Sequence, residues 1–416
     1  MTNLFEKKSF LKGLLFVILV VTFLGLNGCS LHLIHVYLTW QNDPHTTMTV
    51  NVQSLGKDYP VEVLYGQESC QGKPELYPHQ TVGTSKEIPG VEPKRTIHTF
   101  ELTNLKPGEM YYFVLKTKKG TYSSEYKFRT VPNDGSPLHF VIGGDMGILP
   151  AAPKLLHQAG KLNPQFLVIG GDIAYANGDV KNDWIWDIWF NNWEKHMITT
   201  DGCLIPIIAG IGNHEVNKKE ASVPQEERAP FYLGYFAQGG KTFFMRHFHP
   251  YLSLIVLDSS HIVSVAEQTE WLQTSLQASE QFPFIIPVYH VPLYPSHRPF
   301  DGGVSVEERN LWLPLFDEYH VPVCFENHDH TFKRTKPMRN NQPDENGTIY
   351  LGDGCFGVNP REIKNAGLGY LEKASSKRHF WLVEINEHGL NAKAYDEHGE
   401  NFDEVNISPR SVTKSK

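Results

Sequence analysis

The chain has 416 residues and a mass of 47.3 kDa, more than one ordinary core accommodates and about right for two domains. Hydrophobic residues make up 40% and charged residues 20%, which excludes wholesale disorder and a polytopic membrane protein. A net charge of −8 argues against a basic face, so no nucleic-acid partner is expected. Five cysteines are too few for a disulfide scaffold, whereas several of the 20 histidines fall in clusters.

Lys7, Lys8 and Lys12 precede an apolar run from Leu14 to Leu26. The run is shorter than the roughly 20 residues a membrane span needs, and it suits a signal-peptide core. It ends in Leu26-Asn27-Gly28-Cys29, which resembles a bacterial lipobox with Asn27 as its less usual residue. The expectation is a leader over 1–28, lipid attachment to Cys29 and a tether over 29–37. A plain signal peptide with a chance cysteine is the alternative. Either leader exports the chain; the lipoprotein reading anchors it to a membrane, on the periplasmic or cell-surface side. Cys70, Cys203, Cys324 and Cys355 would then meet an oxidising compartment, but the sequence assigns them no pairing.

Residues 38–131 read as short strands separated by turns. Thr47 to Val52 and Val61 to Tyr65 alternate, as half-buried strands do, and His98–Leu102, Tyr111–Lys116 and Tyr122–Arg129 continue the pattern. Evenly spaced strands over this length predict a β-sandwich. Leu102 to Tyr111 looks like part of a fibronectin-III-type module. Val131-Pro132-Asn133-Asp134-Gly135 has the composition of a linker.

Over 137–400 the rhythm changes to apolar strands alternating with helical stretches, which predicts an α/β domain. The expected strands are Leu138–Ile142, Phe166–Ile169, Leu204–Ala209, Leu252–Leu257, Phe284–Val288 and Val321–Phe325. Three closing strands follow at Thr348–Leu351, His379–Ile385 and Leu390–Tyr395. Trp186, Trp189 and Trp193 recur at helical spacing and are expected to face the core. Residues 401–416 read as a tail.

Five of these strands run directly into metal-compatible residues. The blocks are Gly144-Asp145-Met146-Gly147, Gly171-Asp172-Ile173-Ala174-Tyr175, Gly212-Asn213-His214-Glu215, His290-Val291-Pro292-Leu293-Tyr294 and Asn327-His328-Asp329-His330. Open α/β sheets gather ligands at the carboxyl ends of their strands. Two carboxylates, an amide oxygen and three imidazoles there make a mixed oxygen and nitrogen site suited to iron, manganese or zinc. Each block alone is commonplace; five in order are not.

The series resembles the metallophosphoesterase superfamily, and specifically the purple acid phosphatases, whose larger members carry a β-sandwich before the catalytic domain. Tyr175 in the second block separates them from sister families. The resemblance spans about Leu38 to Tyr395. It implies an Fe(III) site from Asp145, Asp172, Tyr175 and His330. A second metal (Fe, Zn or Mn) would take Asp172, Asn213, His290 and His328, with Asp172 bridging. It further implies an acid phosphatase that hydrolyses small phosphomonoesters by attack of a metal-bound hydroxide, with His214 protonating the leaving oxygen. His297 is a second candidate, and Arg298 beside it could equally contact phosphate. Two positions depart from the pattern: Asn327 replaces a glycine, and Pro287 a valine. Asparagine tolerates positive φ best among non-glycine residues, so the turn at Asn327 is expected to survive. The rival readings are a phosphodiesterase or nucleotide pyrophosphatase using the same metals, and a non-enzymatic surface lipoprotein.

Overall fold

The computed structural model of the chain describes residues 33–56 and 59–410. The expected leader, Cys29 and residues 411–416 of the expected tail lie outside the described residues. Eight strands form the first domain: β1 (Leu33–Thr39), β2 (Met48–Ser54), β3 (Pro60–Gly66), β4 (His79–Val82), β5 (Thr84–Glu87), β6 (Thr96–Leu102), β7 (Met110–Thr117) and β8 (Tyr126–Arg129). They pair into two antiparallel sheets, ordered β1-β2-β6-β5 and β4-β3-β7-β8. The two inner faces meet in Val50, Val52, Val63, Phe100, Phe113 and Phe128, all buried. This all-β domain is a sandwich, as the alternation predicts.

The second domain contains β9 (Leu138–Gly143), β10 (Leu167–Gly170), β11 (Ile207–Gly210), β12 (Phe244–Phe248), β13 (Leu252–Val256), β14 (Phe284–Val288) and β15 (Val323–Phe325). Then come β16 (Phe332–Thr335), a small hairpin β17 (Met338–Arg339) and β18 (Gln342–Pro343), and β19 (Ile349–Gly352). The domain closes with β20 (Leu371–Ser375), β21 (Phe380–Asn386), β22 (Gly389–Tyr395) and β23 (Asn401–Ile407). One sheet has the order β11-β10-β9-β21-β22-β23 and the other β12-β13-β14-β15-β19-β16-β20. Phe140, Ile142 and Val168 of the first sheet share a buried cluster with Leu254, Ile286 and Val288 of the second. Helices cover the outer faces. The helix Ala152–Lys161 buries Leu155, Leu156 and Ala159, and the helix Val265–Ala278 starts at a Ser264–Glu267 capping box. The helix Asp183–His196 buries Trp186, Trp189 and Trp193, as their spacing predicts.

Within each sheet, β9-β10-β11 and β13-β14-β15 run parallel. Parallel strands end at one edge, so the five motif-bearing loops converge there. Pro287 sits inside the central strand β14, where a missing N–H would break a ladder bond. The structure accommodates it, because β14 pairs with β15 only through Val288 and Phe325.

Three expectations need correction at the edges. The strand β1 occupies 33–39, so the stretch expected as a tether to residue 37 is largely sandwich. It is bonded to the other domain: the Val36 backbone N–H donates to Glu194 at 2.7 Å, and Tyr37 Oη donates to the Tyr235 carbonyl at 2.8 Å. The expected tail from 401 begins with β23, which continues the antiparallel ladder beside β22. The polar alternation of Asn401–Ile407 suits an edge strand with one solvated face. Finally, β4, β5, β12, β16, β17, β18 and β20 lie outside the expected strands, because short edge or polar strands carry little periodicity.

The two domains share one core. Trp40 packs edge-on against Phe166 and Phe248, with ring centroids 5.8 and 6.0 Å apart. A partly buried ionic clasp also joins the two domains. Arg95, on the sandwich, donates to Asp183 at 3.0 Å and to both carboxylate oxygens of Asp187 on the Asp183–His196 helix. His35 stacks on Phe190 and its Nδ1 lies 3.1 Å from Glu194.

The clasp makes domain packing pH-sensitive. Burial opposes charge on His35, but Asp187 and Glu194 outweigh it and raise its pKa. That contribution is complete below the unfolded imidazole value of about 6.5 and fades as pH climbs through the folded value. Burial opposes ionisation of Asp187, yet His35 and Arg95 hold it down at about 2. Its contribution holds above the unfolded value of about 3.9 and is lost as pH falls through the folded one. Stability from the clasp should therefore peak between about pH 4 and 6.5. Arg95→Ala is expected to cost about 2–3 kcal/mol in urea denaturation, after allowance for its partly solvated partners. His35→Gln should flatten the decline above pH 6.5, and an unaltered pH profile in that variant would refute the assignment.

Candidate metal centre

The five loops deliver their polar side chains to one buried point. Asp145 follows β9, Asp172 and Tyr175 follow β10, Asn213 and His214 follow β11, His290 follows β14, and His328 and His330 follow β15. Asp145, Asp172, Tyr175, His328 and His330 all have positive φ, between 51° and 77°. Such a conformation is uncommon without glycine and costs on the order of 1–3 kcal/mol per residue. Five instances around one point indicate that side-chain placement has overridden backbone comfort.

Two groups of candidate ligands share one member. Asp172, His290 and His328 bring one ligand atom each within 4.8 Å of one another, and so do Asp145, Asp172 and His330. The second group includes a contact of 2.9 Å between His330 Nε2 and Asp145 Oδ1. Tyr175 Oη lies 3.0 Å from each of those two atoms. Around the first group, His290 Nε2 is 3.3 Å from Asp172 Oδ2, 3.2 Å from Asn213 Oδ1 and 3.0 Å from His328 Nδ1. All seven residues implied as ligands thus come together.

The donor set fits a pair of cations. Asp172 Oδ2 is buried without a well-formed hydrogen bond and faces His290 Nε2 at 3.3 Å and His214 Nε2 at 3.8 Å, an expensive state for a carboxylate oxygen that a cation would relieve. Burial favours neutral His290, but Asp172 and Asp145 outweigh it and lift its pKa to about 9. The pocket thus draws positive charge to the place where His290 and His328 point nitrogens at each other. Burial pushes the Tyr175 phenol well above its ordinary value, and the Asp145 and Asp172 carboxylates add to the effect. The Gly170 carbonyl lies 3.0 Å from His290 Nδ1, which leaves Nε2 as the ligand atom.

Glu215 braces the loops from behind. Its buried carboxylate accepts from Asp172 N–H at 2.7 Å, Ile173 N–H at 2.8 Å and Gly212 N–H at 2.8 Å. Burial, followed by the charge of Asp172, pushes its pKa up to about 8. Gly171, at φ +95°, permits this closeness: a Cβ there would sit 2.7 Å from His290 Nδ1.

Asn327 does not play the part expected of it. It lacks the positive φ anticipated for a glycine substitute. Its amide instead donates to the Tyr289 carbonyl at 2.9 Å and fills the space over Gly144, where an added Cβ would meet Asn327 Oδ1 at 2.3 Å. The turn itself is made by His328 and His330.

His214 stands at the rim. Its ring lies 4.1 Å from that of Tyr175 and its Nε2 is 3.8 Å from Asp172 Oδ2, while Nδ1 contacts Asn177 Oδ1. Burial, then the neighbouring imidazoles, outweigh Asp172 and Asp145 and lower its pKa. His297 is placed differently. Its Nδ1 lies 2.8 Å from the Glu362 carbonyl and its N–H donates to Asp329 at 2.6 Å. Arg298 is likewise tied down, donating to the His328 carbonyl at 2.8 Å and to Asp329 at 3.1 Å. Both residues brace the last ligand loop through buried Asp329.

Two neighbours escaped the sequence reading. Asn177, at φ 58°, orients His214. His261 follows β13, its ring 5.4 Å from that of His290, and burial pushes its pKa down to about 3. The sequence carried a faint sign of it in Asp258-Ser259-Ser260-His261, another strand-end acid and histidine. The Asp258 carboxylate turns out to serve its own loop, accepting from the N–H groups of His261, Ile262 and Val263.

Comparison with known proteins adds to this geometry. The family described as "Purple acid Phosphatase, N-terminal domain" matches residues 34–130, and "Calcineurin-like phosphoesterase" matches residues 138–332. Purple acid phosphatase 21 of Arabidopsis thaliana is 25% identical over 331 residues, covering 74% of this chain and 67% of that protein. Probable purple acid phosphatase 20 of the same plant is 25% identical over 264 residues, with 60% and 58% covered. The chain thus spans about three fifths to two thirds of the length of these relatives. The purple acid phosphatase PPD1 from yellow lupin (Lupinus luteus) seeds superposes with a TM-score of 0.73 at 18% identity, covering 91% of this chain and 74% of that one. The structure of PhoD gives 0.65 at 12% identity, with 94% and 95% covered. These structures share the fold. With the sandwich, the catalytic domain and all five motif loops in their family order, the chain belongs to the purple acid phosphatases.

Proposed function

We propose that the protein is a dimetal phosphatase that hydrolyses phosphomonoesters under acidic conditions. The observation that carries this reading is Asp172, which belongs to both ligand groups and turns a buried oxygen without a well-formed hydrogen bond toward the His290 imidazole. Asp145, Asp172, Tyr175 and His330 would hold Fe(III); Asp172, Asn213, His290 and His328 would hold Fe, Zn or Mn. A carboxylate with two oxygens can serve two cations about 3.5–4 Å apart. When bound, such a pair supplies an activated water and a clamp for phosphoryl oxygens.

The chain's own residues do the rest. His328 N–H donates to Asp145 Oδ2 and His214 N–H to Asp172 Oδ1, both at 2.8 Å, so each ligand carboxylate is aimed before substrate arrives. Water adds to phosphorus as the bond to the alcohol oxygen breaks. His214, turned by Asn177, gives its proton to that oxygen, so the alcohol leaves neutral, and the proton released by the attacking water restores the charge of the imidazole. The reading includes export and lipid attachment at Cys29, supported by Leu26-Asn27-Gly28-Cys29.

Protein truncated before Ser30 should hydrolyse p-nitrophenyl phosphate faster than its bis-ester, with the optimum on the acid side. A preference for the bis-ester would move the assignment to a phosphodiesterase. Asp172→Asn should lose activity together with bound metal, read by elemental analysis; full activity there would sink the two-metal reading. His214→Ala should keep its metals and lose about 10²–10⁴ in kcat on alkyl esters. The loss should be smaller on p-nitrophenyl phosphate, whose leaving group needs little protonation. Equal losses on both would remove His214 as the acid. In the chain with its leader retained, Cys29→Ser should abolish incorporation of labelled fatty acid, and unchanged labelling would refute the anchor.

A further inference from the structure

A cavity of about 1170 Å³ opens beside His214 and Asn213. One wall comes from the polar stretch after the third motif, where Lys218, Lys219 and Glu227 line it. Asn217 pins that stretch, donating to the Glu227 carbonyl at 2.7 Å and to the Gly178 carbonyl at 3.3 Å. The opposite wall belongs to the sandwich. Pro89 and Gly90, at the tip of the β5–β6 hairpin, line the same space. This tip is seated on the catalytic domain: a Cβ on Gly90 would lie 3.6 Å from both Val180 methyl groups. Ile88 and Val91 flank it, both buried, and Ile88 covers Gly234 closely enough that a Cβ there would come within 2.9 Å. The Arg95 clasp anchors the hairpin's returning strand. The far wall is therefore anchored by packing and supplied by the other domain.

We propose that this two-domain cavity is the leaving-group subsite, and that it takes an uncharged polyhydroxylated alcohol such as a sugar or nucleoside. The inference rests on the phosphomonoesterase reading. With phosphorus at the ligand cluster and the leaving oxygen at His214, the remainder of the alcohol extends beyond His214 into this space. The volume slightly exceeds the roughly 300–1,000 Å³ of ordinary ligand pockets, ample for a nucleoside. The lining charges decide the class. Lys219 is matched by Glu227 at 3.0 Å. Lys218 and Asp179 remain, of opposite sign, and the His214 proton is committed to the leaving oxygen, so the walls hold no further positive charge for a second phosphate. Asp179 Oδ1 accepts from Lys181 N–H and leaves Oδ2 for a substrate hydroxyl. Pro89, Val180 and Val216 offer apolar surface to a ring face.

The test compares adenosine 5′-monophosphate, inositol hexakisphosphate and p-nitrophenyl phosphate on the metal-loaded chain. Wild-type protein should prefer the nucleotide to the hexakisphosphate in kcat/KM. Pro89→Trp, at an exposed turn, should lower the ratio of nucleotide to p-nitrophenyl phosphate hydrolysis about tenfold, through KM. Asp179→Ala should lower the same ratio from the other wall. Val82→Trp, on an exposed position of β4, should leave it unchanged and controls for folding. An unmoved ratio in both wall variants overturns the subsite while leaving the phosphatase reading intact, and a preference for the hexakisphosphate overturns the alcohol class. Absence of hydrolysis on every ester overturns the phosphatase reading itself.

Discussion

The site is organised around a single carboxylate that the fold leaves under-satisfied. Asp172 sits at φ 51°, its N–H held by Glu215 and its Oδ1 by the His214 N–H, while Oδ2 is buried without a well-formed hydrogen bond. Parallel strands from two sheets set the loops around it, and the imidazoles of His290 and His214 face it from the second sheet and the rim. Remove the Glu215 brace and the loops after β10 and β11 would lose their common acceptor. The negative charge stored there is tolerable in a buried place only because positive charge is meant to join it.

Around this centre the division of labour differs from what each residue type suggests. His297 and Arg298 resemble substrate contacts, yet their backbone N–H groups and the Arg298 guanidinium serve Asp329, between two ligands. Asn327 substitutes for glycine by occupying space rather than by adopting an unusual backbone. It packs over Gly144, so the first and fifth motifs are in direct contact. A change at either position would be felt at both.

Much of this was legible in the sequence. An apolar strand ending in a ligand residue is a local signal, and all five such junctions appear in the fold with the expected neighbours. The sandwich was legible because its inward residues alternate. What escaped depends on partners distant in the chain. Nothing local marks His35 as buried, since its environment is made by Phe190, Asp187 and Glu194 more than 150 residues away. The edge strand β23 hides in a polar segment for the same reason, because its pairing with β22 comes from backbone bonds. Asn177 carries no motif and acquires meaning only when His214 is brought to it.

The shared core has a consequence for the chain as an evolving object. One buried cluster runs from Val36 and Trp40 of the sandwich through Phe166 and Phe248 into both catalytic sheets. A cut at the Val131–Pro137 linker would bare aromatic faces on both fragments, and neither could heal without the other. The front domain is therefore no interchangeable module. Shuffling it for another sandwich would demand a matched set of substitutions across the seam, so the two halves are bound to change together.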